Sequence, residues 1–170
     1  MLSIYVQISE MNRHYPLLIC KQLGTRRCIW QGPIKPYRRS YIIKISYTEP
    51  EPAENKTLLE VQPMVQVTHP RLERHDDYDE GPIPHIYSNK IDPGLPFLCL
   101  FDPHINEWSA KDMIARTTVP WTERWLINYE FWLATGRWSG GGRHDSYENG
   151  PHDVTNNDAE AFNTMNTESA

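Results

Sequence analysis

One cysteine and its surroundings carry the chemistry that this sequence offers. Cys99 lies in the run LPFLCLFDP, His85 precedes it in PIPHIYSNK, and Trp108-Ser109 follows it in INEWSA. A thiol is the strongest nucleophile among the side chains near neutral pH and can hold a covalent acyl intermediate. Cys99 is therefore a candidate nucleophile, and the alternative is a small hydrophobic residue buried between Leu98 and Leu100.

Three further residues near Cys99 have side chains that could assist it. A neutral imidazole at His85 could orient the loop through hydrogen bonds or donate to an oxyanion. Asp102 and His104 are candidates for a general base that accepts the proton of an attacking amine, although Asp102-Pro103 also fits a plain turn. No Lys or Arg lies within five residues of Cys99, which disfavours a strongly activated, protease-like thiolate.

The other potential ligands and thiols show no pattern of their own. The three cysteines form no C-x-x-C pair, so we expect neither a disulfide framework nor a zinc site, and we expect Cys20 and Cys28 to be inert strand residues. A charged loop holds five more metal-ligating side chains without a recognisable ligand spacing: His69, His75, Asp76, Asp77 and Asp79. We expect no metal and no cofactor.

Length and charge limit the classes of function. The 170 residues predict one domain over residues 1–142, followed by an acidic tail over 143–170. The tail holds six acidic residues and one basic residue, which account for the whole net charge of −5 of the chain. The body is therefore neutral and lacks the basic surface of a nucleic-acid binder. We expect the tail to be disordered, with the triple glycine at 140–142 as its flexible start.

The sequence predicts a cytoplasmic protein. Its N-terminus lacks the basic start and apolar core of a secretory signal, and no apolar stretch approaches the ~18 residues needed to cross a bilayer. A reducing cytoplasm suits a free thiol.

The first half of the chain predicts one helix and four strands. Ile4, Ile8, Met11 and Tyr15 share a helical face that begins near Ser3 and ends before a proline, although alternation of apolar residues over 4–8 also fits a strand. Strand patterns follow over four stretches at short separations, which predicts an antiparallel meander: 17–23, 28–32, 41–47 and 58–67.

The second half predicts a long functional loop and then helices. Residues 69–98 contain five prolines and little periodicity, which is unusual in a compact domain. A capping box at Ser109 and Asp112 predicts the start of a helix, and Gly136 predicts the end of the next one. We expect Trp108 to pack beneath the cysteine loop. Four aromatic residues form a predicted core face of the last helix, with Glu123 and Glu130 opposite: Trp121, Trp125, Tyr129 and Trp132.

This order of elements and motifs resembles the ubiquitin-conjugating enzymes. That family has an H-P-N stretch, then a cysteine in I-C-L-D, then a W-S/T-P step. Here Pro84-His85-Ile86-Tyr87, Leu98-Cys99-Leu100 and Trp108-Ser109-Ala110 take those places. The block over 84–142 is most similar to a bacterial branch encoded beside cyclic-oligonucleotide synthases in anti-phage (CBASS) systems.

The resemblance implies an α+β fold with an N-terminal helix, a four-stranded antiparallel meander, a cysteine loop and C-terminal helices. It implies an acyltransferase in which Cys99 forms a thioester with the C-terminus of a partner CD-NTase, a cGAS-like nucleotidyltransferase. The acyl group would then pass to a lysine amine and prime anti-phage signalling. The chain is similar to the stand-alone form, because no ATP-binding segment or Gly-rich phosphate loop is found.

The departures from the family motif leave other functions open. Proline precedes His85 instead of following it, and the asparagine of H-P-N is missing. The gap from His85 to Cys99 is fourteen residues, which is longer than in the eukaryotic pattern because of IDPGLP. The alternatives are a non-catalytic module that clasps the tail of the synthase and, with less support, a cysteine hydrolase.

Overall fold

A computed structural model of the chain describes residues 1–51, 58–102, 105 and 107–140. In chain order, its helices and strands are α1 (Ile4–His14), β1 (Ile19–Leu23), β2 (Arg27–Ile34), β3 (Tyr41–Thr48), α2 (Leu58–Val61), β4 (Met64–His69), β5 (Ile86–Tyr87), β6 (Phe97–Leu98) and α3 (Thr118–Thr135). The predicted tail over 143–170 and the glycines at 141 and 142 lie outside the described residues. Within these residues, no helix is both long and apolar enough to cross a membrane.

The strands form one antiparallel sheet in the order β1-β2-β3-β4-β6-β5. The predicted four-stranded meander is confirmed, and two short strands from the long loop extend it beyond β4. The prediction for the fourth strand is wrong in its first half, because Leu58–Val61 forms a helical turn and β4 begins at Met64. Pro63 lies between them, where its missing N–H and fixed φ separate the two elements.

The N-terminal helix is confirmed with the expected buried face. The Ser3 hydroxyl accepts a hydrogen bond from the N–H of Val6 at its start, and Ile4 and Met11 are fully buried. Gln7 is also fully buried on this face. Its amide donates to the carbonyl of Asp112 at 2.8 Å and accepts from the N–H of Ile114 at 3.0 Å, which ties α1 to the segment before α3.

Those bonds explain why the helix predicted after the capping box is wrong. The Asp112 carboxylate does accept from the N–H of Ser109 at 2.8 Å, but residues 110–117 form turns instead of a helix. The N-terminal segment takes the backbone groups that a helix would need, because the N–H of Leu2 donates to the carbonyl of Ala110 and Gln7 binds the two groups named above. The described residues therefore contain a single α-helix after the cysteine loop, which is α3.

The aromatic face of α3 is confirmed, and its end is as predicted. Trp125, Tyr129 and Trp132 are buried against the sheet, while Trp121 packs partly buried beside them. Gly136 ends the helix with φ 71°, and its N–H donates to the carbonyl of Trp132.

The solvent-facing position predicted for Glu130 is wrong. This side chain is buried, and its two oxygens accept from the N–H groups of Arg38 (3.0 Å) and Arg39 (3.1 Å) in the loop between β2 and β3. The carboxylate therefore closes that loop onto α3, and two charge-assisted bonds offset the loss of its hydration.

The expectation of unpaired, inert Cys20 and Cys28 is wrong as well, because they form a disulfide. They lie diagonally across the β1–β2 pair, in which Cys20 faces Trp30 and Cys28 faces Gln22. Their Cα atoms are 6.6 Å apart, within the span that a disulfide bridges. In the described residues, no group of three or more His, Cys, Asp or Glu side chains could hold a metal ion, and the ring of His75 contacts those of Tyr78 and Trp132.

Candidate active site around Cys99

Cys99 follows the last strand of the sheet directly. Its N–H donates to the carbonyl of His85 at 3.0 Å, which continues the β5–β6 pairing by one residue. Phe97 and Leu98 before it are buried, whereas Cys99 itself is half-buried. It is the free cysteine of the described residues. A strand thus brings the thiol from the core toward the surface. The alternative reading, in which Cys99 is a buried hydrophobic residue, does not match its half-buried position.

Two oxygen atoms lie close to the sulfur. The hydroxyl oxygen of Tyr87 is 3.2 Å from Sγ, and the carbonyl oxygen of Phe101 is 3.8 Å from it. Tyr87 comes from β5 and Phe101 from the segment that follows the cysteine. The sulfur therefore lies between a hydroxyl that can donate and a carbonyl that can accept.

The electrostatic surroundings keep the thiol protonated. Burial raises the pKa of Cys99 above its ordinary value, the hydrogen bond with Tyr87 lowers it, and the negative charges of Asp102 and Glu107 raise it again. The sum of these effects is a raised pKa. Cys99 accordingly differs from the preformed thiolate of a cysteine protease, as the lack of nearby Lys and Arg in the sequence predicts.

His85 meets Cys99 through the backbone. Its carbonyl accepts from the N–H of Cys99 and from the indole N–H of Trp125, each at 3.0 Å. Its φ is 50°, in the left-handed region that histidine enters more readily than most residues. The ring stacks on Trp138, with centroids 5.1 Å apart, and its Nε2 lies 3.4 Å from a carboxylate oxygen of Glu80. The contact of His85 with Cys99 is thus made by its backbone carbonyl, and its ring contacts Trp138 and Glu80 instead.

The candidates for a general base are placed in part. Asp102 is half-buried, its N–H donates to the carboxylate of Glu107 at 2.9 Å, and its own charge acts on the thiol. His104 lies outside the described residues. Trp108 is 1 % exposed and packs between Phe101 and Tyr47, so the prediction that it supports the cysteine loop from below agrees with its position.

The middle of the long insert between His85 and Cys99 is held against β4 and the segment that follows it. Arg71 makes a two-pronged ion pair with Asp92, with N–O distances of 3.0 and 2.9 Å. The carbonyl of Leu95 accepts from the side-chain amides of Gln66 and Asn89. The residues around IDPGLP are thereby bound to β4 and the segment after it, and both ends of the insert return to the β5–β6 pair.

Sequence reasoning missed three residues that contact this site. Tyr87 lies two residues after His85, so a strand over 85–87 would have placed both side chains on one face, but two residues are too few for a periodic signal. Trp125 was predicted as core, which it is, yet its hydrogen bond to His85 depends on the packing of α3. Glu107 accepts from the N–H of Asp102, a contact that no sequence motif indicates.

The fold and this cysteine define a class of protein. An N-terminal helix, an antiparallel meander, a thiol just after the last strand and a C-terminal helix form the α+β architecture of ubiquitin-conjugating-enzyme-like (E2-like) proteins. Among known families, the model described as "Type II CBASS E2 protein" matches residues 7–145. The chain belongs to this family, and so to the E2-like proteins of a bacterial antiviral defence system.

No curated protein matches this chain significantly.

Proposed function

We propose that this protein is an acyl carrier that holds the C-terminus of its CD-NTase partner as a thioester on Cys99 and passes it to a lysine amine. The observation that carries the proposal is the position of the sulfur. It is the free thiol of the described residues, and the β5–β6 pair delivers it half-buried beside the Tyr87 hydroxyl, where the charge of Asp102 acts on it. The other two cysteines are tied to each other in the sheet.

The loading step requires an activated acyl group. A free carboxylate and a thiol do not condense to a thioester favourably in water, so the donor would be the partner's C-terminus as a thioester or as an acyl-adenylate. The sulfur of Cys99 attacks the carbonyl carbon, the new C–S bond forms, and the previous thiol or AMP leaves. The thiol proton goes to solvent or to Asp102, whose carboxylate is close enough to influence the sulfur.

The discharge step follows the same geometry in reverse. A lysine amine attacks the thioester carbonyl, the C–N bond forms, the C–S bond breaks with its electron pair on sulfur, and the amine proton passes to a base such as Asp102. His85 would hold the loop in place through its carbonyl, which accepts from the N–H of Cys99, while its imidazole stacks on Trp138 and lies near Glu80. Because a raised thiol pKa makes sulfur a poorer leaving group, this site would protect the thioester against water until an amine is bound.

The same observation favours a second candidate, a binding module without transfer chemistry. A thiol that stays protonated reacts slowly, and the asparagine of the family's H-P-N motif is missing here. In this case the surface beside Cys99 would bind the C-terminal tail of the synthase without a covalent bond.

One set of variants separates these candidates. The protein is mixed with its CD-NTase partner in a cell extract that contains the products of the neighbouring genes. Adducts are resolved on gels with and without a reducing thiol. We expect a thiol-sensitive adduct in the wild type and none in Cys99→Ala. Cys99→Lys should give an adduct that resists thiol, because an amide replaces the thioester. Binding without an adduct in wild type and Cys99→Ala alike would favour the binding module instead.

A matched control removes the other two cysteines. The double variant Cys20→Ser/Cys28→Ser keeps Cys99 and should form the same adduct, which would show that neither of these cysteines carries it. Hydroxylamine cleaves a thioester but leaves a disulfide intact. Cleavage of the partner's tail by wild-type protein, with no adduct, would instead indicate a hydrolase.

A further inference from the structure

The hydroxyl of Tyr87 reaches the sulfur across the strand pair. Tyr87 faces Phe97 in the β5–β6 register, and Cys99 lies two residues beyond Phe97. This diagonal separation is within reach of a long aromatic side chain. The resulting distance from the Tyr87 oxygen to Sγ is 3.2 Å, which is short for a hydrogen bond that involves sulfur.

The thiol of Cys99 has one hydrogen and two acceptors within reach, the Tyr87 hydroxyl and the Phe101 carbonyl, so the direction of the bond with Tyr87 depends on whether the sulfur carries its proton. The carbonyl of Phe101, 3.8 Å from Sγ, has no hydrogen and can only accept from the thiol. When the sulfur is a thiolate, it has no hydrogen to give, and the bond to Tyr87 must run from the phenol to the sulfur. The contact with Tyr87 therefore becomes stronger as negative charge develops on sulfur.

Other contributions act against a negative sulfur. Burial removes water from it, and Asp102 and Glu107 repel the charge. Of the contributions found among the described residues, the hydrogen bond with Tyr87 is the one that favours the charged form. Because burial and the two carboxylates all disfavour the thiolate, the hydrogen bond from Tyr87 has a large share in setting the reactivity of Cys99.

We infer that Tyr87 is a catalytic residue whose hydroxyl donates a hydrogen bond to Cys99 Sγ and stabilises the charge that builds on sulfur. The role in acyl transfer rests on the proposed function, whereas the role in thiol reactivity does not. In the discharge step, the electron pair of the breaking C–S bond moves onto sulfur, where the O–H of Tyr87 meets it. Tyr87 keeps its proton throughout, and the amine proton goes to the base.

The test compares wild type with Tyr87→Phe, which removes the hydroxyl and keeps the ring. The rate of alkylation of Cys99 by iodoacetamide is followed by mass spectrometry of the peptide that contains it, from pH 6 to pH 10. We expect the inflection to move to higher pH and the rate at pH 7.5 to fall about tenfold, because hydrogen bonds to charged groups are strong. Tyr5→Phe, an exposed tyrosine on α1, is the matched control and should leave the profile unchanged.

A structural role would give a different result. If Tyr87 only filled space, Tyr87→Phe would at most change the melting temperature. An alkylation profile that matches that of the wild type would therefore overturn the inference. Should Tyr87→Phe fail to fold, 3-fluorotyrosine at position 87 provides a stronger donor. We then expect the inflection to move to lower pH, and an unchanged inflection would count against Tyr87.

The two proposals fail separately. Alkylation reports on the sulfur without any partner, so an absent adduct in wild-type protein would overturn acyl transfer and leave the result for Tyr87 valid. If the adduct forms, its discharge by added lysine should be several-fold slower in Tyr87→Phe than in the wild type. Cys99→Ala, which lacks the thiol, should form no adduct.

Discussion

The indole N–H of Trp125 donates to the backbone oxygen of His85 at 3.0 Å, and the same oxygen accepts from the N–H of Cys99. One carbonyl thus joins the core helix α3 to the strand that carries the thiol. The position of the sulfur is set by the core of the protein as well as by its own loop.

Replacement of Trp125 by Phe tests that connection. The variant loses an N–H donor and part of a buried ring, so we expect a loss of about 2 kcal/mol in the free energy of unfolding. We also expect faster alkylation of Cys99, because the β5–β6 pair is released from α3. Urea unfolding and peptide mass spectrometry measure the two effects.

Trp132 provides the control for this variant. It is fully buried on the same helix, and its indole donates to the carbonyl of Asp79 at 3.2 Å. Trp132→Phe should destabilise the protein by a similar amount and leave the alkylation rate of Cys99 unchanged. Equal alkylation in both variants would mean that the bond to His85 does not hold the sulfur.

The acidic residues beside the thiol should control its pH dependence. Because burial, Asp102 and Glu107 raise the pKa of Cys99, the wild-type inflection is expected above the ~8.5 of an ordinary thiol. In Asp102→Asn/Glu107→Gln the pKa should fall, and alkylation at pH 7.5 should become about threefold faster at low ionic strength. The gain should shrink in 1 M salt, since Glu107 is exposed. A slower or salt-independent rate would contradict this account.

Tyr47 should make the protein less stable at alkaline pH. Its ring is 2 % exposed and packs against Trp108. Burial and then the charge of Glu49 raise its pKa to about 12. Above pH 10 the unfolded chain releases a proton that the folded chain keeps, so stability falls as pH rises from 10 to 12, by about 2 kcal/mol from this group. Urea midpoints at pH 9 and pH 11.5 measure the loss.

The variant Tyr47→Phe should show a smaller loss over that interval. Its stability at pH 7 should change little, since no partner for the Tyr47 hydroxyl is found in the described part of the chain. Tyr5→Phe, exposed on α1, should retain the full loss. An identical pH dependence for both variants would exclude Tyr47 as the source.

Glu130 should hold the loop between β2 and β3. Glu130→Gln retains one acceptor oxygen for the two N–H groups of Arg38 and Arg39, and it loses the charge. We expect a loss of about 2 kcal/mol in the free energy of unfolding and faster amide exchange at residues 38 and 39. Glu123→Gln, half-buried on the same helix, is the matched control. Exchange at 38 and 39 that stays slow in Glu130→Gln would contradict the assignment.

The sequence predicted most elements that bury one face along a regular period. α1, the meander and the aromatic face of α3 follow from apolar spacing alone, because burial dominates their energy. Glu130 shows the limit of that reasoning. A helical wheel places its carboxylate opposite the aromatic stripe, and the hydrogen bonds from a distant loop that bury it are not encoded in local periodicity.

The site was predictable to a similar degree. The run around Cys99 and the family resemblance of its surroundings indicated the thiol. The absence of nearby Lys and Arg residues indicated that the thiol is weakly activated. The contacts of Tyr87 and Trp125 were not predictable, since both depend on which segments pair across the insert and on how α3 packs. The Cys20–Cys28 pairing likewise required the register of the first two strands.

The clamp of Arg71 on Asp92 has a consequence for the architecture of this loop. Within the insert, the N–H of Gly94 donates to the same Asp92 carboxylate that Arg71 binds, and the N–H of Leu95 donates to the Asp92 carbonyl. An added residue near position 93 would break these bonds and release the carboxylate from its partner. The length of the insert over 92–95 is therefore constrained by its own hydrogen bonds.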